Sequence, residues 1–167
     1  MASIVVVGSY NRDVSLFVAR LPAPGETCLS QGRLESPGGK GSNQAIQAAR
    51  AGAATAMIAA IGTDGAGDEA LALWAADGID TRGVVRLGGH GTGMAVILVD
   101  AAAENEIVVD SGANAHLSPT HIDAAAGLIA GAKVVLAQME TPVAATIRAF
   151  ELARAAGAAT VLNAAPA

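Results

Sequence analysis

Four side chains in this sequence form a set that can grip a hydroxylated small molecule: Asn11, Asp13, Lys40 and Asn43. A carboxylate only accepts hydrogen bonds, an ammonium only donates them and a carboxamide does both, which is what vicinal hydroxyls on one ring require. Asn11 and Asp13 follow the apolar run Ile4-Val5-Val6-Val7, at the carboxyl end of a first strand, where open α/β sheets bind ligands. Lys40 and Asn43 lie in Gly38-Gly39-Lys40-Gly41-Ser42-Asn43-Gln44, which opens a helix. Paired glycines there let backbone amides approach a ligand, and the helix N-terminus favours oxygen-rich groups. The loop is not a Walker A motif, because Lys40 is followed by Gly41 and Leu34 occupies the leading glycine position. Glu140, just past Val134-Val135-Leu136-Ala137, lies at another carboxyl strand end, where an acid serves equally as a helix cap.

Other chemistry-bearing residues read as structural. Gly62-Thr63-Asp64-Gly65-Ala66-Gly67-Asp68 approaches a dinucleotide fingerprint, but Val84-Val85-Arg86-Leu87 runs into Gly88-Gly89 without the acidic residue expected about 20 positions on, which favours a turn and helix start. His90, His116 and His121 show no ligand spacing, and the single cysteine, Cys28, has no second thiol, so no metal site is expected. Trp74 sits at helical spacing with Leu71 and is expected in the core.

The elements that must position these residues follow from short β-branched runs alternating with Ala- and Leu-rich segments, the pattern of βα units on a largely parallel sheet. Strands are expected near 3–8, 55–61, 84–87, 133–137 and 159–163, and helices near 41–52, 66–77, 119–131 and 143–156. Segments 14–36 and 92–111 break the rhythm with extended runs lacking helices, and read as hairpins of a four-stranded antiparallel flap beside the main sheet. With 167 residues, 52% of them hydrophobic, and a mean hydropathy of +0.45, the chain can build a sizeable core. No run reaches the roughly 18 apolar residues of a membrane span, and a strand begins almost at once without a basic, cleavable leader, so a cytoplasmic protein is the default expectation. A net charge of −5 and 2% aromatic residues leave no basic, stacking surface for nucleic acid, and a small molecule is the expected partner.

Several motifs in register resemble the PfkB family of carbohydrate kinases: Gly8-Ser9-Tyr10-Asn11-Arg12-Asp13, Pro22-Ala23-Pro24-Gly25-Glu26-Thr27, Gly38 to Gln44, Thr92-Gly93-Met94-Ala95, Gly112-Ala113-Asn114, Gln138-Met139-Glu140 and Asn163 to Ala167. The resemblance implies an α/β, ribokinase-like Rossmann-type sandwich with a small antiparallel β lid, residues 1–167 being its truncated N-terminal part and the C-terminal ATP-binding half absent. It implies ATP-dependent phosphorylation of D-ribose at its primary hydroxyl. Asn11 and Asp13 would hold sugar hydroxyls, Gly39 would give a backbone contact, Lys40, Asn43 and Glu140 would complete the polar ring, and Ala95 would touch the sugar from the lid. The lid commonly pairs with a second subunit's lid.

The catalytic base, the Mg-ATP site and a monovalent cation (potassium) site belong to the family's C-terminal half, so no catalytic residue is assigned here, Asp68 included, and the chain alone is expected not to turn over. An unpaired edge after the last strand suggests self-association. A catalytically dead sugar-binding or regulatory module is the competing reading, and a nicotinamide-dependent oxidoreductase would rest on Gly65-x-Gly67 alone.

Overall fold

The computed structural model describes residues 2–166, so Ala167, the last residue of the Asn163 run, lies outside them. The elements in order are β1 (Ile4–Val7), β2 (Asn11–Phe17), β3 (Gly32–Gly38), α1 (Lys40–Arg50), β4 (Thr55–Gly62), α2 (Gly65–Ala76), β5 (Asp80–Leu87), β6 (Gly93–Val99), β7 (Asn105–Asp110), a 3-10 turn (Gly112–His116), α3 (Pro119–Ala124), α4 (Ala126–Ala130), β8 (Val134–Ala137), α5 (Val143–Ala155) and β9 (Ala159–Leu162). The helix anticipated over 119–131 is interrupted at Ala125, whose ψ of 8° lies outside the helical range.

Strands β5-β4-β1-β8-β9 form a parallel sheet with β1 at its centre. Every residue of β4 is buried, as a central parallel strand covered on both faces must be. The two-residue period of the strands then sorts side chains into two cores. Val6, Met57, Ala59 and Ile61 point to one side, with Ala45 of α1 and Ala70 and Trp74 of α2. Val5, Val7, Ile58 and Ala60 point to the other, with Ile122 of α3, Ile129 of α4 and the Ala145, Ala149 and Ala153 stripe of α5. Those alanines, spaced by four on one helical face, let α5 approach the sheet closely.

Trp74 is fully buried, meets Tyr10 edge-to-face at 5.7 Å and donates its indole N–H to Ser42 Oγ at 2.9 Å. Tyr10, whose aromatic type had no evident purpose in the sequence, thereby forms the wall between β1 and α2.

The second sheet, ordered β3-β2-β6-β7, arises from the two segments read as hairpins, but it is mixed rather than antiparallel. β2–β3 and β6–β7 are antiparallel, as hairpins must be, whereas the joining pair β2–β6 is parallel, Asn11 lying opposite Gly93 and Phe17 opposite Val99. The reason is topological: β2 and β6 each continue outward from the carboxyl end of the main sheet, so the first strands of both hairpins run the same way.

Trp74→Phe keeps an aromatic wall but leaves the Ser42 hydroxyl buried without its donor, and is expected to cost about 1–3 kcal/mol. Guanidinium unfolding followed by circular dichroism should show a lower midpoint with an unchanged slope.

Candidate functional site

The site begins where two glycine-bearing segments interlock. Gly39, at φ 86°, occupies the left-handed region, and a Cβ there would lie 2.8 Å from Tyr10 Cα and 2.9 Å from Asn11 N. A Cβ on Gly41 would lie 2.5 Å from Ser9 N, and Ser42 N donates to Ser9 O at 2.9 Å. The start of α1 is thus pressed against the Gly8–Asn11 turn, backbone to backbone.

Glu140 locks this junction from the end of β8. Its Oε2 accepts from Ser9 Oγ at 2.5 Å and from Lys40 N at 2.8 Å, and its Oε1 pairs with Lys40 Nζ at 2.8 Å. α1 has no side-chain cap of its own, so Glu140 caps it from a distant element, an acid at the positive end of the helix dipole. Burial alone would raise the Glu140 pKa, but the hydrogen bonds from Lys40 and Ser9 outweigh it and hold the carboxylate below its ordinary range. Asp13 shifts the other way: burial raises it, the neighbouring Glu140 charge raises it further, and Lys40 only partly offsets both.

All seven residues named as candidates share one pocket of about 160 Å3: Asn11, Asp13, Gly39, Lys40, Asn43, Ala95 and Glu140, with Ile97, Ile107 and Val109 completing the wall. A larger cavity of about 420 Å3 adjoins it and shares Asn11, Val109 and Glu140. Polar groups thus come from both sheets and α1, and the apolar wall from β6 and β7. The three aliphatic residues were not anticipated, although strand periodicity leads to them: Ile97 follows Ala95 by two, and Val109 and Ile107 face Ala95 and Ile97 in the ladder. Ser9 and Asn114 lie within the motifs Gly8 to Asp13 and Gly112 to Asn114, but their residue types alone give them no role in the site. Asn114 donates to Asn11 Oδ1 at 2.9 Å.

The Gly62–Asp68 segment is a structural staple. Asp64 caps α2 by accepting from Gly67 N at 2.9 Å, and accepts from Thr92 N at 2.8 Å and Thr92 Oγ1 at 2.5 Å. Its burial pulls the pKa upward, but these bonds prevail and hold it low. Among the described residues no group of three or more His, Cys, Asp or Glu converges on a potential metal position, and no helix is long and apolar enough to cross a membrane.

A parallel α/β core with helices on both faces, a small sheet overhanging its carboxyl edge and a polar pocket between them define the ribokinase-like class. The chain matches the model of the pfkB family carbohydrate kinases over residues 1–167 and belongs to that family. It is 43% identical over 165 residues to a ribokinase of Staphylococcus aureus, covering 98% of this chain and 54% of that protein. It resembles the ribokinase structure from Giardia lamblia with a TM-score of 0.90 at 34% identity, covering 99% of this chain and 56% of the other. The Arabidopsis thaliana ribokinase complexed with ribose and ATP matches with a TM-score of 0.87 at 29% identity, over 98% of this chain and 54% of the other. The chain spans about half the length of these relatives.

The opposed shifts of the two acids predict opposite pH signatures. Asp13→Asn removes a carboxylate whose ionisation opposes folding, so it should raise the thermal midpoint by a few degrees at pH 7. That gain should shrink as the pH falls through the raised Asp13 pKa towards its ordinary 3.8. Glu140→Gln should lower the midpoint above pH 4.5, the loss fading as the pH falls through the depressed Glu140 pKa. Calorimetric melts of both variants across pH 3 to 8 check the two signs.

Proposed function

We propose that this chain is the sugar-binding half of an ATP-dependent carbohydrate kinase that phosphorylates D-ribose at its primary hydroxyl to give ribose 5-phosphate. The observation that carries the reading is the convergence of Asn11, Asp13, Gly39, Lys40, Asn43 and Glu140 under an aliphatic roof of Ala95, Ile97, Ile107 and Val109. Such a pocket suits a small polyol: acceptors and donors line one side, and apolar carbons cover the other. Asp13 accepts from hydroxyls, Asn11 and Asn43 supply carboxamides, and Gly39 offers its backbone where no side chain intervenes. Lys40 and Glu140, paired to each other, hold the rim of α1 in place and present charge to the ring. The similarity to ribokinases supports ribose over other sugars.

The small sheet acts as the lid over this pocket, its segments being 14–36 and 92–111. Its exposed Phe17, Leu34 and Ile107 provide an apolar surface for a second copy of the chain, giving a homodimer through the lids. The cytoplasm is the compartment proposed, and neither nucleic acid nor membrane is a partner.

We place no Mg-ATP or potassium site among the described residues: the Gly67 amide is engaged by Asp64, and no group of three or more His, Cys, Asp or Glu converges there. We therefore assign the nucleotide, the cations and the catalytic base to the additional length that the relatives carry, and this chain's contribution is to bind, orient and desolvate the sugar. By itself it binds without turnover.

Calorimetric titration of the chain with D-ribose should show saturable binding that Asp13→Ala weakens at least about 100-fold, since a hydrogen bond to a charged group is lost with its geometry. An ATP-dependent phosphorylation assay of the same sample should stay at background. Turnover by this chain alone would overturn the assignment of the base elsewhere, and absence of ribose binding would overturn the ribose pocket.

A further inference from the structure

The buried Asn114 is not among the residues that surround the 160 Å3 pocket, though it lines the adjoining 420 Å3 cavity, and its carboxamide makes three bonds to Tyr10 and Asn11 at the entry to β2. Its Oδ1 accepts from Tyr10 N at 3.1 Å, and its Nδ2 donates to Tyr10 O at 2.8 Å and to Asn11 Oδ1 at 2.9 Å. The first two bonds fix which end of Asn114 is which, because the reversed amide would set oxygen against the Tyr10 carbonyl and NH2 against its N–H. Nδ2 must therefore meet the oxygen of Asn11, and the Asn11 amide is turned in consequence.

We infer that Asn114 is a positioning residue that sets the polarity of the site: it turns the Asn11 oxygen towards itself, leaving the Asn11 NH2 as the group offered to ligand. Asn11 is 5% exposed and lines the pocket, and its Nδ2 donates to no acceptor among the described residues. Asp13 two residues on is a pure acceptor on the same wall. A ligand group that bridges the two must accept from one and donate to the other, which a hydroxyl does and an ether or a carbonyl does not. This inference rests on the sugar-binding reading above.

The surrounding backbone is shaped for this contact. A Cβ on Gly93 would lie 2.2 Å from Asn114 Nδ2, 2.3 Å from Asn11 Oδ1 and 2.8 Å from Tyr10 O, so the glycine leaves open the space in which the amide-to-amide bond sits. A Cβ on Gly112 would lie 2.4 Å from Gly91 O, and the next residue, Ala113, donates its N–H to that same carbonyl at 2.8 Å. The 3-10 turn that carries Asn114 is thus docked against the loop before β6.

Two measurements on the 167-residue chain test the inference. In 15N-labelled protein without sugar, the Asn11 side-chain amide pair, assigned through an Asn11→Ala sample, should move or broaden in Asn114→Ala and in Gly93→Ala while backbone signals of β4 and β8 stay in place. An Asn11 amide unmoved by both substitutions would overturn the positioning role, whether or not ribose binds. In calorimetric titration with D-ribose, Asn114→Ala should weaken binding about 10-fold or more in the parent chain and less than about twofold in an Asn11→Ala background. Equal losses in both backgrounds would mean that Asn114 acts only on general stability and would sink the inference, whereas a moved Asn11 amide in a parent chain that does not bind ribose would refute the ribose reading and leave the positioning standing.

Discussion

The rest of the site depends on the contact between two stretches of backbone, the Gly8–Asn11 turn and the Gly38–Gly41 entry to α1. At van der Waals distance there is no room for side chains between them, so Gly39 and Gly41 are glycine, while Gly38 leaves space for the Asp13 carboxylate. What the contact achieves is registration: Asn11 and Asp13 on one strand and Lys40 and Asn43 on one helix are brought onto one pocket. Glu140 then fastens the junction with bonds to both partners, Ser9 on the turn and Lys40 on the helix.

The same geometry leaves an unresolved electrostatic tension. One ammonium, Lys40, stands among two carboxylates, and it pairs with Glu140, so the charge of Asp13 is only partly offset against a half-buried wall. Structure-stabilising logic would neutralise it. On the proposed sugar-binding reading, hydrogen bonds from a bound hydroxyl would offset the cost of that charge.

Much of this was legible in the sequence, and the limits are physical. Asn11, Asp13, Lys40, Asn43 and Glu140 were recoverable because strand ends and helix N-termini are readable from apolar runs and glycines, and those are the places where open α/β sheets gather ligands. The two hairpins were recoverable from extended runs without helices, but the direction of β2 relative to β6 was not, since pairing between distant segments leaves no local trace. The break at Ala125 escaped because alanine favours an unbroken helix. Ser9 and Asn114 escaped for a different reason: their contacts span 131 and 103 residues of chain, and nothing in a serine or an asparagine announces such a partner. The glycines of Gly62–Asp68 mark a turn and helix start in the sequence, yet the staple from Asp64 to Thr92 emerges only from three dimensions.

The pocket's contacts are divided between two bodies. Lys40, Asn43 and Glu140 are carried by elements of the parallel core, whereas Asn11, Asp13 and Ala95 belong to strands of the overhanging sheet. The two sheets are joined where β1 passes into β2, where β3 passes into α1 and where β5 passes into β6. On the proposed sugar-binding reading, a ligand held from both sides would therefore include in its affinity the free energy of keeping the two sheets at one spacing.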